Sequence, residues 1–230
     1  MDALRDLVLG SACVGCSTPG RLLCRPCRSR LPTSAHVTAP EPTPPGLAPV
    51  TVTGDYADLL RAMVVAHKER RAWGLTPHVG RLLAVAAGAF SGAGPLVMVP
   101  VPSAWATVVR RGHDPLLRIT RAATADLRSD SHQATCLRLL RLARRPSDQA
   151  GLDSAARLAN LSGVMAVAPA ALRALSRMGP VQVIVCDDVV TTGATVAEAQ
   201  RALAEVGVPI SGIAAVCATR RVLPLRHRPG

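Results

Sequence analysis

Residues 181–195, Val-Gln-Val-Ile-Val-Cys-Asp-Asp-Val-Val-Thr-Thr-Gly-Ala-Thr, constrain this chain more than any other stretch. The β-branched run of Val181, Val183, Ile184 and Val185 suits a buried parallel strand. That strand is expected to end on two adjacent carboxylates, Asp187 and Asp188. Thr191, Thr192, Gly193, Ala194 and Thr195 then make a small hydroxyl-rich turn, and Val196 onward is helix-forming. A turn at a helix N-terminus favours a phosphate. Carboxylates just upstream can hold sugar hydroxyls or a hydrated metal. A ligand carrying both a ribose diol and a phosphate fits that order. The plainer alternative is a strand-turn-helix with a solvated acidic tip, since Asp favours helix starts for capping reasons alone. The conjunction of all four parts weighs against it. No Gly-Lys-Ser/Thr follows, and Gly-x-Gly-x-x-Gly is missing, so this is neither a Walker loop nor the dinucleotide fingerprint.

A second motif lies near the amino terminus. Cys13-x2-Cys16-x7-Cys24-x2-Cys27 offers two thiolate pairs from two tight turns, enough for one tetrahedral shell. Four protein thiolates leave no open coordination position, so the expected metal is structural Zn2+. Arg21, Arg25 and Arg28 would offset part of the thiolate charge. An Fe–S centre or a redox pair remains open on spacing. Cys136, Cys186 and Cys217 stand singly in apolar runs and read as small buried hydrophobes. Alternation along the strand points Cys186 away from the Asp187 side.

At 230 residues the chain can hold one α/β domain and a small appendage. Aromatic residues make up only 2%, so its core must be built from Ala, Val and Leu. The net charge of +12 comes almost wholly from arginine, Lys68 being the only lysine. That charge suits anionic partners such as nucleotides, diphosphate or nucleic acid, but an Arg-rich composition alone selects none. No stretch approaches the roughly 18 uninterrupted apolar residues of a membrane span. Asp2 and Asp6 make the amino terminus a poor signal peptide. The expected compartment is the cytoplasm, where paired thiols favour metal over disulfide. A homodimer is an open expectation for the assembly.

The chain divides into a four-cysteine zinc module at 1–31, a Pro-rich linker at 32–49, a main domain at 50–219 and a basic tail at 220–230. Pro32, Pro40, Pro42, Pro44, Pro45 and Pro49 read as an extended linker rather than packed structure. Strands are expected at 50–53, 96–101, 136–142, 164–167 and 210–217, besides the one before Asp187. Helices are expected at 56–68, 77–89, from about 115 to 127, at 152–161, at 170–177 and after Thr195. His67 and His78 fall on two of these helices, as surface or partly packed residues. Alternating strands and helices imply right-handed crossovers and a mainly parallel sheet. Ligands then bind beyond the carboxyl ends of the strands, where Ser103, Asp187 and Asp188 all fall.

Taken together, these segments resemble the ComF family, competence protein F-like members of the type I phosphoribosyltransferase superfamily. The resemblance rests on the four-cysteine knuckle, the Tyr56–Lys68 helix, Val-Pro-Val-Pro-Ser at 99–103 and Arg111-Gly112. It continues through Gln149, Arg157 and Asn160-x-x-Gly163 to the Asp187–Thr195 motif. It implies a type I phosphoribosyltransferase-like α/β fold and a phosphoribosyl diphosphate (PRPP) donor bound with Mg2+. Asp187 and Asp188 would take the ribose hydroxyls, and Thr191, Thr192, Gly193, Ala194 and Thr195 the 5′-phosphate. Ser103 and Ala104 would face the diphosphate. Arg111 and Arg157 are the candidate catalytic residues, with Arg144 and Arg145 in the region that covers the site. The implied activity is phosphoribosyl transfer to an unidentified acceptor with diphosphate release. A ComF-type role in handling single-stranded DNA with the competence machinery, or a non-catalytic PRPP sensor, are the alternatives. Where the family continues Arg-Gly-Phe-Asn-Gln, this chain has Arg111-Gly-His113-Asp114-Pro115, so His113 and Asp114 inherit no role. Thr191 stands where purine-salvage relatives carry an acid, which argues against purine salvage.

Overall fold

A computed structural model describes residues 12–92, 94–103, 114–144 and 162–219. The first elements are a short helix α1 (Arg25–Arg28) and strands β1 (His36–Thr38) and β2 (Val50–Val52). Helices α2 (Asp58–Glu69) and α3 (Thr76–Gly88) follow, joined through a 3-10 turn at Trp73–Leu75. Then come β3 (Leu96–Pro100), α4 (Pro115–Ser129), β4 (Ala134–Cys136), β5 (Leu140–Leu142) and β6 (Met165–Val167). The chain continues with α5 (Pro169–Ser176), β7 (Gln182–Val190), α6 (Ala194–Ala204) and β8 (Gly212–Ala218).

Six strands form one sheet in the order β1-β2-β8-β7-β3-β4, parallel throughout except where β1 pairs antiparallel with β2. This is the mainly parallel α/β architecture expected from the sequence. The crossover from β3 through α4 leads to β4 on one side, while β7 leads through α6 to β8 on the other. The winding therefore reverses between β3 and β7, and the carboxyl ends of those two strands flank a crevice.

Period-two alternation splits the apolar side chains between two cores. Ile184, Cys186, Leu96 and Met98 join α2, α3 and α4 residues such as Met63, Leu83 and Ile119 on one face. Val183, Val185, Val97 and Val99 join Val196, Ala199 and Leu203 of α6 on the other. With so few aromatics, the helices pack on small residues. At Gly80 a Cβ would come within 2.6 Å of the Ala122 Cβ and 3.1 Å of the Ala123 backbone nitrogen, so α3 and α4 touch almost backbone to backbone.

Besides the length of β7, taken up below, three expectations change. The strand expected over 136–142 is two strands: β4 closes one edge of the main sheet, while β5 pairs antiparallel with β6 as a separate ribbon. Arg138 and Leu139 lie at the break, where the Leu139 amide donates to the Leu137 carbonyl and the direction changes. His67, expected at or near the surface, is fully buried, its Nε2 3.0 Å from the Thr76 hydroxyl at the start of α3. The segment 32–49 is packed over part of its length: it supplies β1, and Pro40 and Pro44 are buried. Prolines bring no N–H to satisfy, so they cover apolar surface cheaply without any hydrophobic periodicity to betray it. The helix expected at 152–161 and the basic tail at 220–230 lie outside the described residues.

Candidate functional site

The strand β7 does not stop at the acidic pair. It runs on to Val190, held by β8 through the Val189–Cys217 and Val190–Ala218 pairings. Both carboxylates therefore sit on regular strand, on opposite faces. The alternation puts Asp188 on the face covered by α2 and Asp187 on the face covered by α6.

Asp188 is buried, and its two oxygens lie 2.7 and 2.6 Å from the ammonium of Lys68. Lys68 belongs to the last turn of α2, where the helix dipole also favours a cation. Asp187 is partly buried, and its Oδ1 accepts the Asp188 backbone N–H at 2.8 Å. Burial raises the Asp187 carboxyl to about 7, with the neighbouring Asp188 charge adding to the rise and Lys68 opposing it.

After Val190 the chain turns through Thr191 and Thr192 to Gly193, which starts α6 in the left-handed region at φ +73°. No side chain caps this helix. The N–H groups of its first turn point out of the helix end, beside the exposed Thr191 and the partly buried Thr192 and Thr195. One wall of the turn comes from the Pro-rich segment. A Cβ on Gly193 would lie 2.7 Å from Pro40 Cγ and 3.3 Å from Pro44. The same segment is clamped to α6 by Gln200, whose amide accepts from the Ala48 N–H at 2.9 Å and donates to the Gly46 carbonyl at 2.7 Å.

Across the crevice, Val101 N–H donates to the Cys186 carbonyl at 3.0 Å, so Pro102 and Ser103 emerge beside the acidic pair. The Ser103 hydroxyl donates to Asp114 Oδ1 at 3.2 Å, and the same carboxylate caps α4 by accepting from Leu117 N–H at 3.1 Å. Asp114 thus ties Ser103 to the start of α4. Arg144, two residues past β5, donates to the Ser162 carbonyl at 2.5 Å. Ala104, Arg111, Arg145 and Arg157 lie outside the described residues. Among the described candidates, Asp187, Asp188, Ser103 and the Thr191–Thr195 turn meet at the carboxyl edge of β3 and β7.

The sequence reading missed Lys68, Pro40, Pro44 and Glu198. Lys68 had a visible signal, as the one lysine in an arginine-rich chain. Glu198 had none, because a glutamate on a helix reads as surface. It is buried in α6, where it accepts the Met165 N–H at 2.8 Å and pairs with Arg201 at 2.6 Å. Arg201 also donates to the Met165 carbonyl at 3.1 Å and pairs with Glu205. This clamp fixes the β5–β6 ribbon to α6. Burial by itself would raise the Glu198 carboxyl, but Arg201 and the Met165 N–H bring it below its ordinary range.

The four amino-terminal cysteines form a separate cluster. Their sulfurs all lie within 4.8 Å of one another, with Cys16 and Cys24 at 3.5 Å. A tetrahedral zinc with Zn–S bonds of about 2.3 Å places its sulfurs about 3.8 Å apart, so the thiol set fits the ion without rearrangement of the turns. Burial works against a thiolate at Cys13, yet the Cys24, Gly15 and Cys16 backbone N–H groups outweigh it and bring the thiol down to about 6. Cys27 is pushed up to about 12, first by its contact with Cys24, then by burial and the Cys13 charge. A divalent cation relieves that repulsion and lets all four ionise. None of the seven cysteines is in a disulfide.

Comparison with known protein families finds no family model that matches the chain, and comparison with curated proteins finds no match. Among the described residues, no helix is long and apolar enough to cross a membrane.

Proposed function

We propose that the chain is a ComF-like, type I phosphoribosyltransferase-like protein that binds PRPP with Mg2+ and transfers its phosphoribosyl group to an acceptor, releasing diphosphate. One observation carries this reading. At the crevice where the sheet reverses its winding, an acidic pair on β7 is followed directly by an uncapped, hydroxyl-lined helix start. The order matches the two ends of a ribose 5-phosphate: carboxylates for the diol, then N–H and hydroxyl donors for the phosphate.

In this reading Thr191, Thr192 and Thr195 donate hydroxyl hydrogen bonds to the phosphate beside the α6 N–H groups. Asp187, on the α6 face, accepts from the ribose hydroxyls. Ser103 lies on the diphosphate side, held by Asp114. When bound with the donor, Mg2+ spreads the charge of the leaving diphosphate. The protein contributes orientation and electrostatics rather than a covalent intermediate. Zn2+ is held by Cys13, Cys16, Cys24 and Cys27 as a structural ion, away from this chemistry.

Calorimetric titration of PRPP with Mg2+ tests the reading. Wild type binds with one site per chain, and Asp187→Asn/Asp188→Asn abolishes the heat. Wild-type protein that takes up no PRPP sinks it. Binding without diphosphate release on any acceptor would keep the donor and turn the enzyme into a PRPP sensor.

A further inference from the structure

Two carboxylates at a ligand site invite a divalent cation as readily as a diol. The geometry points to a different arrangement here: the Lys68 ammonium fills the cation position at Asp188, so that carboxylate takes no metal ion of its own and Asp187 is left to meet the diol. This rests on the reading that the crevice receives a ribose phosphate, and adds that any divalent cation enters with the donor's diphosphate and not on Asp188.

The placement carries the inference. Lys68 Nζ lies between both Asp188 oxygens, at 2.7 and 2.6 Å, where a metal chelated by that carboxylate would sit. The Asp188 side chain is almost completely buried, while the Lys68 side chain is about one-third exposed. A metal on this carboxylate would have to displace the ammonium that lies against both of its oxygens. In a chain whose other side-chain cations are arginines and histidines, a lysine here is informative. An ammonium is a compact point charge that mimics a small cation, whereas a planar guanidinium spreads over a longer edge. Lys68 is in this sense a positioning residue: it holds the Asp188 carboxylate in place and leaves Asp187 to meet the ligand. The rise of the Asp187 carboxyl, driven first by burial, fits the same picture, because it weakens the attraction of the pair for a dication beside the ammonium.

Mn2+ is the probe, read by electron paramagnetic resonance on zinc-loaded full-length protein without nucleotide or sugar. Wild type and Lys68→Arg show no Asp188-dependent Mn2+ site. Lys68→Met and Lys68→Gln gain one Mn2+ per chain, held about tenfold or more tighter than any Mn2+ that wild type takes up, and Asp188→Asn in either background removes it. A wild-type Mn2+ site lost in Asp188→Asn overturns the inference, as does a folded Lys68→Met or Lys68→Gln protein that gains none. If those two variants fail to fold, wild type against Asp188→Asn still decides. PRPP titration of wild type stands apart: its failure removes the donor reading, while the Mn2+ result judges Lys68 by itself.

Discussion

Asp187 and Asp188 are neighbours in sequence with opposite surroundings, and their chemistry follows from that. Asp188 has an ammonium against both oxygens; Asp187 has burial and a like charge, which raise it to about 7. An unfolded aspartate titrates at about 4, so folding favours the protonated Asp187. Its contribution to stability is complete below about pH 4 and is lost as pH rises through about 7. Ligand binding runs the other way, since an ionised carboxylate accepts both hydroxyls of a diol. PRPP affinity should therefore rise between about pH 6 and about pH 8, and Asp187→Asn should flatten both profiles. Unfolding and calorimetry across that range check the pair of slopes; a variant that keeps the wild-type slopes contradicts the assignment. Because Lys68 opposes the rise at Asp187, Lys68→Met should move the binding step to higher pH. It should also cost about 3 kcal/mol in denaturant unfolding, the low end for stripping one partner from a buried pair, given that the Lys68 side chain is partly exposed. Much of this site was readable beforehand, because Asp-Asp-x-x-Thr-Thr-Gly-x-Thr places charge and hydroxyls by local spacing alone. Lys68 was not, since 120 residues separate it from Asp188 and only the fold brings them together.

At the scale of elements, α6 does three things at once. Its first turn faces the crevice, Gln200 holds the Pro-rich segment, and Glu198 with Arg201 holds the β5–β6 ribbon. Glu198→Ala would leave the buried Met165 N–H without its acceptor and Arg201 without its closest carboxylate. We expect a loss of about 2–3 kcal/mol in denaturant unfolding, with increased amide exchange at Met165 and its β5 partner Leu142. A variant within about 0.5 kcal/mol of wild type would remove the clamp from the account. Gly193→Ala meets both a left-handed backbone and Pro40, so it should cost at least about 1–2 kcal/mol. It should also weaken phosphate binding by shifting the helix start. Elements with strong periodicity, such as the helix 58–69 and the apolar first half of β7, follow directly from the residue pattern, whereas the run of β7 past the acidic pair to Val190 does not. The Pro-rich segment does not. Its packing depends on shape against Gly193 and on a single distant amide, and neither leaves a periodic trace in the sequence.

The whole molecule raises the question whether the cysteine knuckle is a separate unit on a tether or part of the main core. Cys13, Leu23 and Cys27 belong to the same buried cluster as Met63, Val64, Leu82 and Leu83 of α2 and α3. Contact is close at one point in particular: a Cβ on Gly15 would stand 2.6 Å from Leu59 Cδ1 and 3.0 Å from Cys27 Sγ. The knuckle is thus seated on the first turn of α2, the helix whose last turn carries Lys68. A metal that orders the knuckle orders one face of the core, and its binding free energy becomes folding free energy of the whole chain. Cys13→Ser/Cys16→Ser should therefore lose zinc and unfold earlier, by about 3 kcal/mol or roughly 10 °C in Tm. The loss should appear in one cooperative transition that calorimetry and far-ultraviolet circular dichroism follow together. A tethered module predicts something else: an early small transition for the knuckle and an unchanged main transition, with PRPP binding intact. Elemental analysis gives the independent arm, because a zinc stoichiometry unchanged by the double substitution would remove the metal itself. The seating of Gly15 and Cys27 on Leu59 favours the single transition, since that face of α2 cannot keep its packing once the knuckle opens.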